Sequence, residues 1–284
     1  MATKTTTKNI QRTMVILLCL LIAYVGWLSS IAWPLSPVSG SILENNARSH
    51  VIDTDTITVG TYNIHSTKGT DGKRSIARIF DVLADSHPDF VGLNEVRGGA
   101  FDSTNQGQEL AEMLDLSWIF LPVNKKLFSG YFGSAFLSRY QVKRYWVTPL
   151  VTTHISTSGI KSSNNRNLTS IELEMQGQSV MLLVTHLDRG ELRLQQLEKV
   201  LEEFNKYAYV ILLGDLNSTT DDPPIRKVLA ASGVVDMVDA GQPHARHIDW
   251  ILTRGFVAIN KGSTPLGASD HPYYWAQVRL KDVQ

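Results

Sequence analysis

The sequence has very little cysteine: Cys19 is the only one among 284 residues. A disulfide within the chain is therefore impossible, and so is a zinc site built on cysteine thiolates. Cys19 lies in an apolar stretch near the N-terminus, where a lipid-modified cysteine is one interpretation. Leu17 and Leu18 precede it, whereas a lipoprotein signal has a small residue there, so this interpretation is disfavoured.

The sequence also lacks a net charge, because 27 basic residues balance 27 acidic ones. Lys4, Lys8 and Arg12 are the only charged residues before Glu44, and without them 24 basic residues stand against 27 acidic ones. A mildly acidic domain is poorly suited to nonspecific binding of long polyanions. A local basic groove stays open, and Lys125-Lys126 and Lys143-Arg144 are the candidates for it.

Charge is absent altogether between Thr13 and Leu43. Within this stretch, residues 14–33 are apolar, and their length matches the roughly 20 residues that cross a bilayer. Basic residues precede the segment, so we expect residues 1–13 in the cytoplasm and the rest of the chain outside it. The alternative is a cleavable signal peptide, although no clear Ala-x-Ala site follows. Residues 34–56 predict a linker, and residues 57–284 predict one domain.

Strand-like and helix-like patterns alternate along that domain. Strands are predicted at Ile57–Asn63, Asp89–Asn94, Ser134–Leu137, Gln141–Thr148, Leu168–Met175, Ser179–Thr185, Tyr209–Leu213, His247–Leu252 and Tyr273–Leu280. Helices are predicted at Lys73–Ser86, Gln108–Leu116, Gly190–Lys206 and Pro223–Ala231. A hairpin is expected at Gln176-Gly177. Hairpins mixed with crossover helices indicate an α/β domain with largely antiparallel or mixed sheets.

Short polar clusters follow the predicted strands, at the points where the strands end. Each alone has a structural explanation: an Asn at a strand end usually forms a turn, and Gly214-Asp215-Leu216-Asn217 fits an Asx turn. Strands nevertheless fix side-chain geometry while their ends face solvent, which suits a functional site. The clusters are TYNIH (61–65), LNEV (93–96), FGSAFLSR (132–139), THLD (185–188), GDLNS (214–218), HIDWIL (247–252) and SDHPYYWAQV (269–278).

In this order, the clusters resemble the endonuclease/exonuclease/phosphatase superfamily, which includes deoxyribonuclease I and neutral sphingomyelinases. The resemblance covers residues 57–280. It implies a two-sheet β-sandwich flanked by helices, a four-layer, deoxyribonuclease I-like domain. With the N-terminal transmembrane helix, residues 57–284 become the membrane-anchored catalytic domain of a metal-dependent hydrolase of phosphate esters.

The resemblance also implies a site. Glu95 is the principal metal ligand, with Asn63 and Asp270, for Mg²⁺ or alternatively Mn²⁺, because such ions prefer hard oxygen ligands. The implied catalytic residues are His186, Asp215, Asn217, Asp249 and His271. Asp215 orients or deprotonates the attacking water, and Asn217 holds that water or a phosphate oxygen. His186 and His271 flank the phosphate. Asp249 hydrogen-bonds His271 and fixes the tautomer of its imidazole.

Two positions depart from the family pattern: Asn94 stands where Gln is common, and Ser134 where many relatives have Asn. The second departure predicts an altered phosphate or sugar contact. Arg166 is interpreted either as a phosphate contact or as a solvent-exposed loop residue.

The substrate is left between two classes. The Leu212-Leu213 pair and HIDW disfavour the inositol polyphosphate 5-phosphatases, and His186 disfavours the repair endonucleases. A nuclease-like phosphodiesterase is preferred, a sphingomyelinase-like lipid phosphodiesterase is the alternative, and a non-catalytic membrane-tethered binding module is the third hypothesis. No protein partner is evident, and mono- versus diester specificity and oligomeric state stay open.

We expect a single-pass membrane protein of a bacterial inner membrane. Its domain lies outside the cytoplasm and faces the periplasm or the exterior. Asn217-Ser218-Thr219 fits an N-glycosylation pattern. A glycan there would cover the expected site, which favours a bacterial origin.

Overall fold

The computed structural model describes residues 2–30, 38–40, 51–98, 105–126, 130–150, 153–156, 159–162, 164–238 and 247–281. The helices are α1 (Ala2–Ser30), α2 (Ile76–Ala84), α3 (Gln106–Leu114), α4 (Arg193–Phe204) and α5 (Pro223–Leu229). The first eight strands are β1 (Val38–Gly40), β2 (Val51–Ile52), β3 (Ile57–Asn63), β4 (Phe90–Gly98), β5 (Ser117–Lys126), β6 (Gly130–Ser138), β7 (Arg144–Pro149) and β8 (Thr153–Ser156). The others are β9 (Gly159–Ser162), β10 (Asn167–Met175), β11 (Gln178–His186), β12 (Val210–Asp215), β13 (Val234–Asp236), β14 (Asp249–Arg254), β15 (Phe256–Thr264) and β16 (Tyr273–Leu280).

Two sheets make up the domain. The eight-stranded sheet has the order β1-β7-β10-β11-β12-β14-β13, with β2 paired to β10, and the six-stranded sheet has the order β15-β16-β3-β4-β6-β5. Strands β8 and β9 form a separate hairpin. The pairs β11–β12, β10–β2 and β3–β4 are parallel, and the other described pairs are antiparallel. The expectation of mixed sheets is therefore confirmed.

Three apolar cores hold four layers together. Strand β12 illustrates the arrangement, because Ile211 and Leu213 face the other sheet whereas Val210 and Leu212 face α4 and α5. The third core lies between the six-stranded sheet and helices α2 and α3. Full burial of one such side chain contributes about 1.5–3 kcal/mol. The predicted two-sheet sandwich with helices on both outer faces is confirmed.

Local sequence signals set the ends of several elements. Ser75 is the N-cap of α2 and accepts a hydrogen bond from the Arg78 backbone N–H, so this helix begins three residues later than predicted. The hairpin between β10 and β11 turns at Gln176 and Gly177, both with positive φ (51° and 74°). Positive φ at both central residues is typical of a type I′ turn, and the hairpin prediction is confirmed.

The predicted linker, residues 34–56, is corrected in two places. Val38–Gly40 pairs with β7, and Val51–Ile52 pairs with β10, with Ile52 fully buried in the central core. The valine and isoleucine of this second strand have high β propensity, which the surrounding polar residues concealed. The other parts of the predicted linker, up to residue 50, lie outside the described residues.

Two long strands, β5 and β15, were not predicted. Both are edge strands of the six-stranded sheet. Edge strands tolerate proline and polar residues, as with Pro122 in β5, so their apolar pattern is weak.

Helix α1 includes most of the predicted transmembrane segment and extends beyond it toward the N-terminus. Lys8–Trp27 has a mean hydropathy of 1.8 and is not buried by the domain. This helix is long and apolar enough to span a membrane, and a signal sequence would have the same properties. Residues 31–33 of the predicted segment lie outside the described residues.

Candidate active site

The polar strand ends meet at one edge of the sandwich. In the six-stranded sheet, Asn63 at the end of β3 pairs in register with Asn94 in β4. In the eight-stranded sheet, Asp215 at the end of β12 lies between His186 of β11 and Asp249 of β14. Strand β14 runs antiparallel to β12, so its first residue lies at the same edge as the last residue of β12. Both sheets therefore contribute to one site.

The backbone around Asp215 is constrained. Gly214 has a φ of 149°, and a Cβ at this position would lie 1.9 Å from the Thr185 carbonyl oxygen, so only glycine fits. The Asp215 backbone N–H donates to Asn94 Oδ1 (2.9 Å), and its Oδ1 accepts from the Asn217 backbone N–H (2.9 Å). The second bond is the predicted Asx turn. Asp215 therefore forms the turn through Oδ1 and also belongs to the site.

Asp215 is fully buried and lies at the centre of the polar cluster. Its Oδ2 accepts from Asn63 Nδ2 (3.1 Å) and lies 3.6 Å from His186 Nε2 and 3.8 Å from His271 Nε2. Burial, together with the nearby charge of Asp249, raises the pKa of Asp215 to about 6. Asp215 is thus ionised at neutral pH and is a stronger base than an ordinary carboxylate.

His271 is paired with a buried carboxylate. Its Nδ1 lies 2.7 Å from Asp249 Oδ2, and Asp249 is itself buried. Burial alone would lower the pKa of His271, but the hydrogen bond and charge of Asp249, with the charge of Asp215, raise it to about 9. His271 is therefore a cation at neutral pH and points its Nε2 toward Asp215.

His186 differs from His271 in charge. Burial, followed by the positive charges of Arg166 and His271, holds the pKa of His186 well below its usual value. Its Nδ1 lies 3.4 Å from Arg166 Nη1, and a guanidinium can only donate, so Nδ1 accepts and Nε2 bears the proton. Among the described residues, neither His186 Nε2 nor Arg166 Nε has a hydrogen-bond partner. Both N–H groups are buried and have unused hydrogen-bonding capacity at the edge of the site.

Glu95 lies on a β-bulge of β4, where the register with β6 shifts between Leu93 and Val96. Its φ is 58°, a strained conformation for a residue with a side chain and one that redirects the carboxylate. Glu95 Oε1 lies 3.4 Å from Asn63 Nδ2 and 3.9 Å from Arg189 Nη2. One amide nitrogen therefore links the Glu95 and Asp215 carboxylates.

The two remaining residues expected at the site lie at its margin. Asp270 Oδ1 is 3.2 Å from His65 Nδ1, and no described contact joins Asp270 to Glu95. The Asn217 side chain donates to the Leu187 carbonyl oxygen (3.0 Å), so its amide nitrogen supports the loop. A separate group of possible metal ligands consists of Asp215, Asp249 and His271, whose ligand atoms lie within 4.8 Å of one another.

Asn94 connects the two sheets, a role that sequence reasoning missed. Besides accepting from the Asp215 backbone, its Nδ2 donates to Ser134 Oγ (3.1 Å) and to the Thr185 carbonyl oxygen (3.2 Å). Asn94 is fully buried and Ser134 is nearly so. Ser134 therefore supports Asn94 from inside the sandwich. The altered phosphate or sugar contact expected at Ser134 stays a prediction. Nothing in the sequence distinguishes an inward amide from an outward one at Asn94.

The sequence matches the model of the Endonuclease/Exonuclease/phosphatase family over residues 60–271. The chain belongs to this family, and its domain has the deoxyribonuclease I-like fold. None of the curated proteins compared with the sequence matches it.

Solved structures show the same fold. A family member from Beutenbergia cavernae is 24% identical, with a TM-score of 0.61, covering 80% of this chain and 72% of that one. TDP2 from D. rerio, in complex with a single-stranded DNA product, is 17% identical with a TM-score of 0.54, covering 80% of this chain and 100% of that one. A mannosyl-6-phosphatase from Bacteroides thetaiotaomicron is 16% identical with a TM-score of 0.54, over 80% and 100% of the two chains. Phosphoester hydrolysis is the activity common to this family.

Proposed function

We propose that this chain is a metal-dependent phosphodiesterase of the endonuclease-like kind. The observation that supports it is the environment of Asp215 Oδ2, which lies within 4 Å of a cationic imidazole (His271) and a neutral, proton-donating one (His186). A base, an acid and an anion-binding N–H are thus directed at the same point. Phosphoryl transfer needs such positioning and charge neutralisation more than covalent chemistry.

A divalent cation fits beside this cluster. Glu95, with Asn63 beside it and Asp270 at the margin of the site, would hold Mg²⁺ or Mn²⁺, because these ions take one or two carboxylates and keep several waters. We prefer Glu95 to the group of Asp215, Asp249 and His271, in which Nδ1 of the histidine is already bonded to Asp249. Asn63 presents Nδ2 to Glu95, and its side-chain Oδ1 accepts from the His65 backbone N–H, so ligation of the cation by Oδ1 requires rotation of the amide. When bound, the cation would neutralise charge on a phosphate oxygen.

The side chains then divide the reaction between them. Asp215 accepts a proton from the attacking water, whose position the Asn217 segment fixes. His186 Nε2–H and the Arg166 guanidinium donate to non-bridging phosphate oxygens. As the ester P–O bond breaks, His271 gives its Nε2 proton to the leaving oxygen, and Asp249 holds the ring in place through the hydrogen bond at Nδ1. The water oxygen thus forms the new bond to phosphorus as the bond to the leaving oxygen breaks. Asp215 takes up one proton and His271 releases another.

We further propose that residues 57–284, together with the two short strands before them, form a catalytic domain outside the cytoplasm, anchored by α1. The three basic residues before the apolar segment support this orientation. The location would be a bacterial inner membrane, with the domain facing the periplasm or exterior.

A lipid or headgroup phosphodiester is the second candidate substrate, because α1 would concentrate the domain at a bilayer. A non-catalytic binding module is opposed by the arrangement of the acid, the base and Glu95. The nucleic-acid substrate is preferred since TDP2, a structural neighbour, was crystallised with a single-stranded DNA product.

The test uses the full chain in a neutral detergent, with single-stranded DNA, plasmid DNA and sphingomyelin in mixed micelles as substrates. Each reaction is run with Mg²⁺, with Mn²⁺ and with EDTA. The variant is His271→Asn, and the matched control is His87→Asn, which changes an exposed histidine outside the site. General acid catalysis contributes about 10²–10⁴-fold, so we expect His271→Asn to lose that much and His87→Asn to lose little.

DNA cleavage that requires metal supports the proposal. Cleavage of sphingomyelin alone would keep the site and change the substrate class. Equal activity of His271→Asn and the parent chain would refute the assigned acid, and cleavage undiminished in EDTA would refute the metal.

A further inference from the structure

A cavity of about 440 Å³ opens directly beside Glu95 and is not used by the mechanism above. Its volume lies within the roughly 300–1,000 Å³ of typical ligand pockets. The cavity is lined by His65, Ser66, Lys68, Arg74, Glu95, Arg97, Asn124, Gly130, Tyr131 and Phe132. Because Glu95 belongs both to this wall and to the catalytic edge, a ligand in the cavity would adjoin the reacting phosphate.

Positive charge is concentrated around the cavity, although the chain as a whole has no net charge. Lys68, Arg74 and Arg97 line it together with a histidine, against a single carboxylate. None of these three cations forms an ion pair with a carboxylate in the described part of the chain, unlike Lys143 and Arg144, which both bind Glu172. Cations gathered without counter-charges repel one another and are stabilised by an anion.

The wall that bears Lys68 is fixed rather than flexible. His65, Ser66 and Thr67 have positive φ values of 45°, 53° and 62°, a conformation that residues with side chains rarely adopt in succession. The Ser66 hydroxyl donates to the Glu95 carbonyl oxygen (3.1 Å) and accepts from Arg97 Nε (3.0 Å).

Two further side chains hold this left-handed turn. Gln106 Nε2 donates to the Ser66 carbonyl oxygen and to Thr67 Oγ1, each at 3.2 Å, and Arg74 Nη1 donates to the same carbonyl. The turn is thereby fastened to the backbone of Glu95, so the cation cluster keeps a set position relative to the catalytic edge.

One wall of the cavity bears an aromatic ring. Phe132 of β6 is half-buried and lies directly across the sheet from Arg97, whereas the preceding Tyr131 pairs with Gly98 and its side chain points to the other face of the sheet. Directly opposed residues share a face of the sheet, so the ring and the guanidinium line the cavity together. A phosphate beside a planar ring is the combination that cations and aromatic side chains recognise in single-stranded nucleic acid. A lipid headgroup offers the phosphate without the ring.

We propose that this cavity is a subsite for the nucleotide next to the scissile phosphodiester, with Lys68, Arg74 and Arg97 binding its phosphate and Phe132 stacking on its base. The subsite rests on the proposed function and specifies its substrate as a nucleic acid strand. It accounts for nucleic acid binding by a mildly acidic domain, since only a local cluster has to be basic.

The experiment compares two substrates of the full chain in detergent: the thymidine dinucleotide d(TpT), with one phosphodiester, and the trinucleotide d(TpTpT), with two. The variants are Lys68→Gln, which removes a charge, and Phe132→Leu, which removes the ring. Lys73→Gln is the matched control, because Lys73 is exposed in the same segment and does not line the cavity.

We expect Lys68→Gln to lower kcat/KM for the trinucleotide about five-fold more than for the dinucleotide. It also makes the dependence of log(kcat/KM) on log[salt] shallower by about 0.7, the value for one contact with a single strand. Phe132→Leu lowers trinucleotide affinity about five-fold or more while leaving the salt dependence as it was. A merely structural role of Lys68 would not alter the salt dependence.

Trinucleotide binding in EDTA, measured by fluorescence anisotropy, separates this inference from the proposed function. If the chain hydrolyses neither substrate but binds the trinucleotide, and Lys68→Gln weakens binding, the subsite stands and the proposed function fails. If Lys68→Gln and Lys73→Gln behave alike, or the parent does not bind the trinucleotide, the subsite is refuted. Lys68-dependent binding of phosphatidylglycerol micelles in place of the trinucleotide would also refute it.

Discussion

Replacement of Asn94 by Leu tests whether the bridge between the sheets positions the catalytic base. Asn94 is fully buried and makes three hydrogen bonds, to the Asp215 backbone, Ser134 and the Thr185 carbonyl. Leu has the same branched arrangement of side-chain heavy atoms and is somewhat larger, so no cavity is introduced. The variant therefore removes the polar contacts and leaves their partners unsatisfied.

The cost follows from the number of bonds. Each net hydrogen bond is worth about 0.5–1.5 kcal/mol, so losing three lowers the free energy of unfolding by about 3 kcal/mol. Ser134→Ala removes one of them and costs about 1 kcal/mol. Because the Asn94–Ser134 bond is lost in both single variants, the double variant costs about 3 kcal/mol, roughly 1 kcal/mol less than the sum.

Urea unfolding followed by tryptophan fluorescence measures these differences, since Trp250 is fully buried beside the site. Turnover is measured in parallel: a shift of the Asp215 backbone by about 1 Å costs up to 10²-fold in kcat. An Asn94→Leu chain within about 0.5 kcal/mol of the parent, smaller than one such bond, would refute the bridge. Strict additivity in the double variant would refute the direct contact with Ser134.

Two further predictions concern single carboxylates. Metal at 100 times its Kd should raise the free energy of unfolding of the parent by about 2.7 kcal/mol, and Glu95→Gln should abolish this gain in a thermal unfolding series; an equal gain would place the metal elsewhere. Burial would raise the pKa of Asp188, but N–H groups of Asn164 and Arg189 and the charge of Arg166 hold it below its usual value. Its stabilisation is therefore present above the unfolded pKa of about 3.9 and is lost as the pH falls through the folded value, so Asp188→Asn should cost about 1–3 kcal/mol at pH 7 and progressively less below pH 4. A cost independent of pH would contradict this assignment.

The parts of the fold that the sequence predicts are those with buried, regular patterns. Strands β3 and β16 occur at the predicted residues, and β12 begins within one residue of its predicted start. The unpredicted strands β5 and β15 are edges, where one side pairs with no other described strand and the apolar pattern fades. A strand can be predicted from the sequence mainly because its burial produces a regular apolar pattern, and less because of the intrinsic propensity of its residues.

The candidate site also has features that the sequence predicts and features that it does not. Six of the eight expected residues meet at one edge, because the ends of neighbouring strands must meet there. Asn94 was not recognised as a bridge, since its orientation depends on the spacing of two sheets. The left-handed turn at His65–Thr67 contains no glycine that would signal positive φ. Tertiary contacts impose it, and local sequence does not encode it.

The arrangement of the site connects its reactivity to the stability of the whole sandwich. Asn63 and Glu95 belong to one sheet, whereas His186, Asp215 and Asp249 belong to the other. The fold buries two acids of the second sheet within reach of each other's charge, which raises the pKa of Asp215 and opposes folding. A cation bound at the proposed Glu95 site would be absent from the unfolded chain, so its binding would favour the assembled edge. Its positive charge would also offset part of the repulsion between the two buried acids, whereas an anionic phosphate would add to that repulsion.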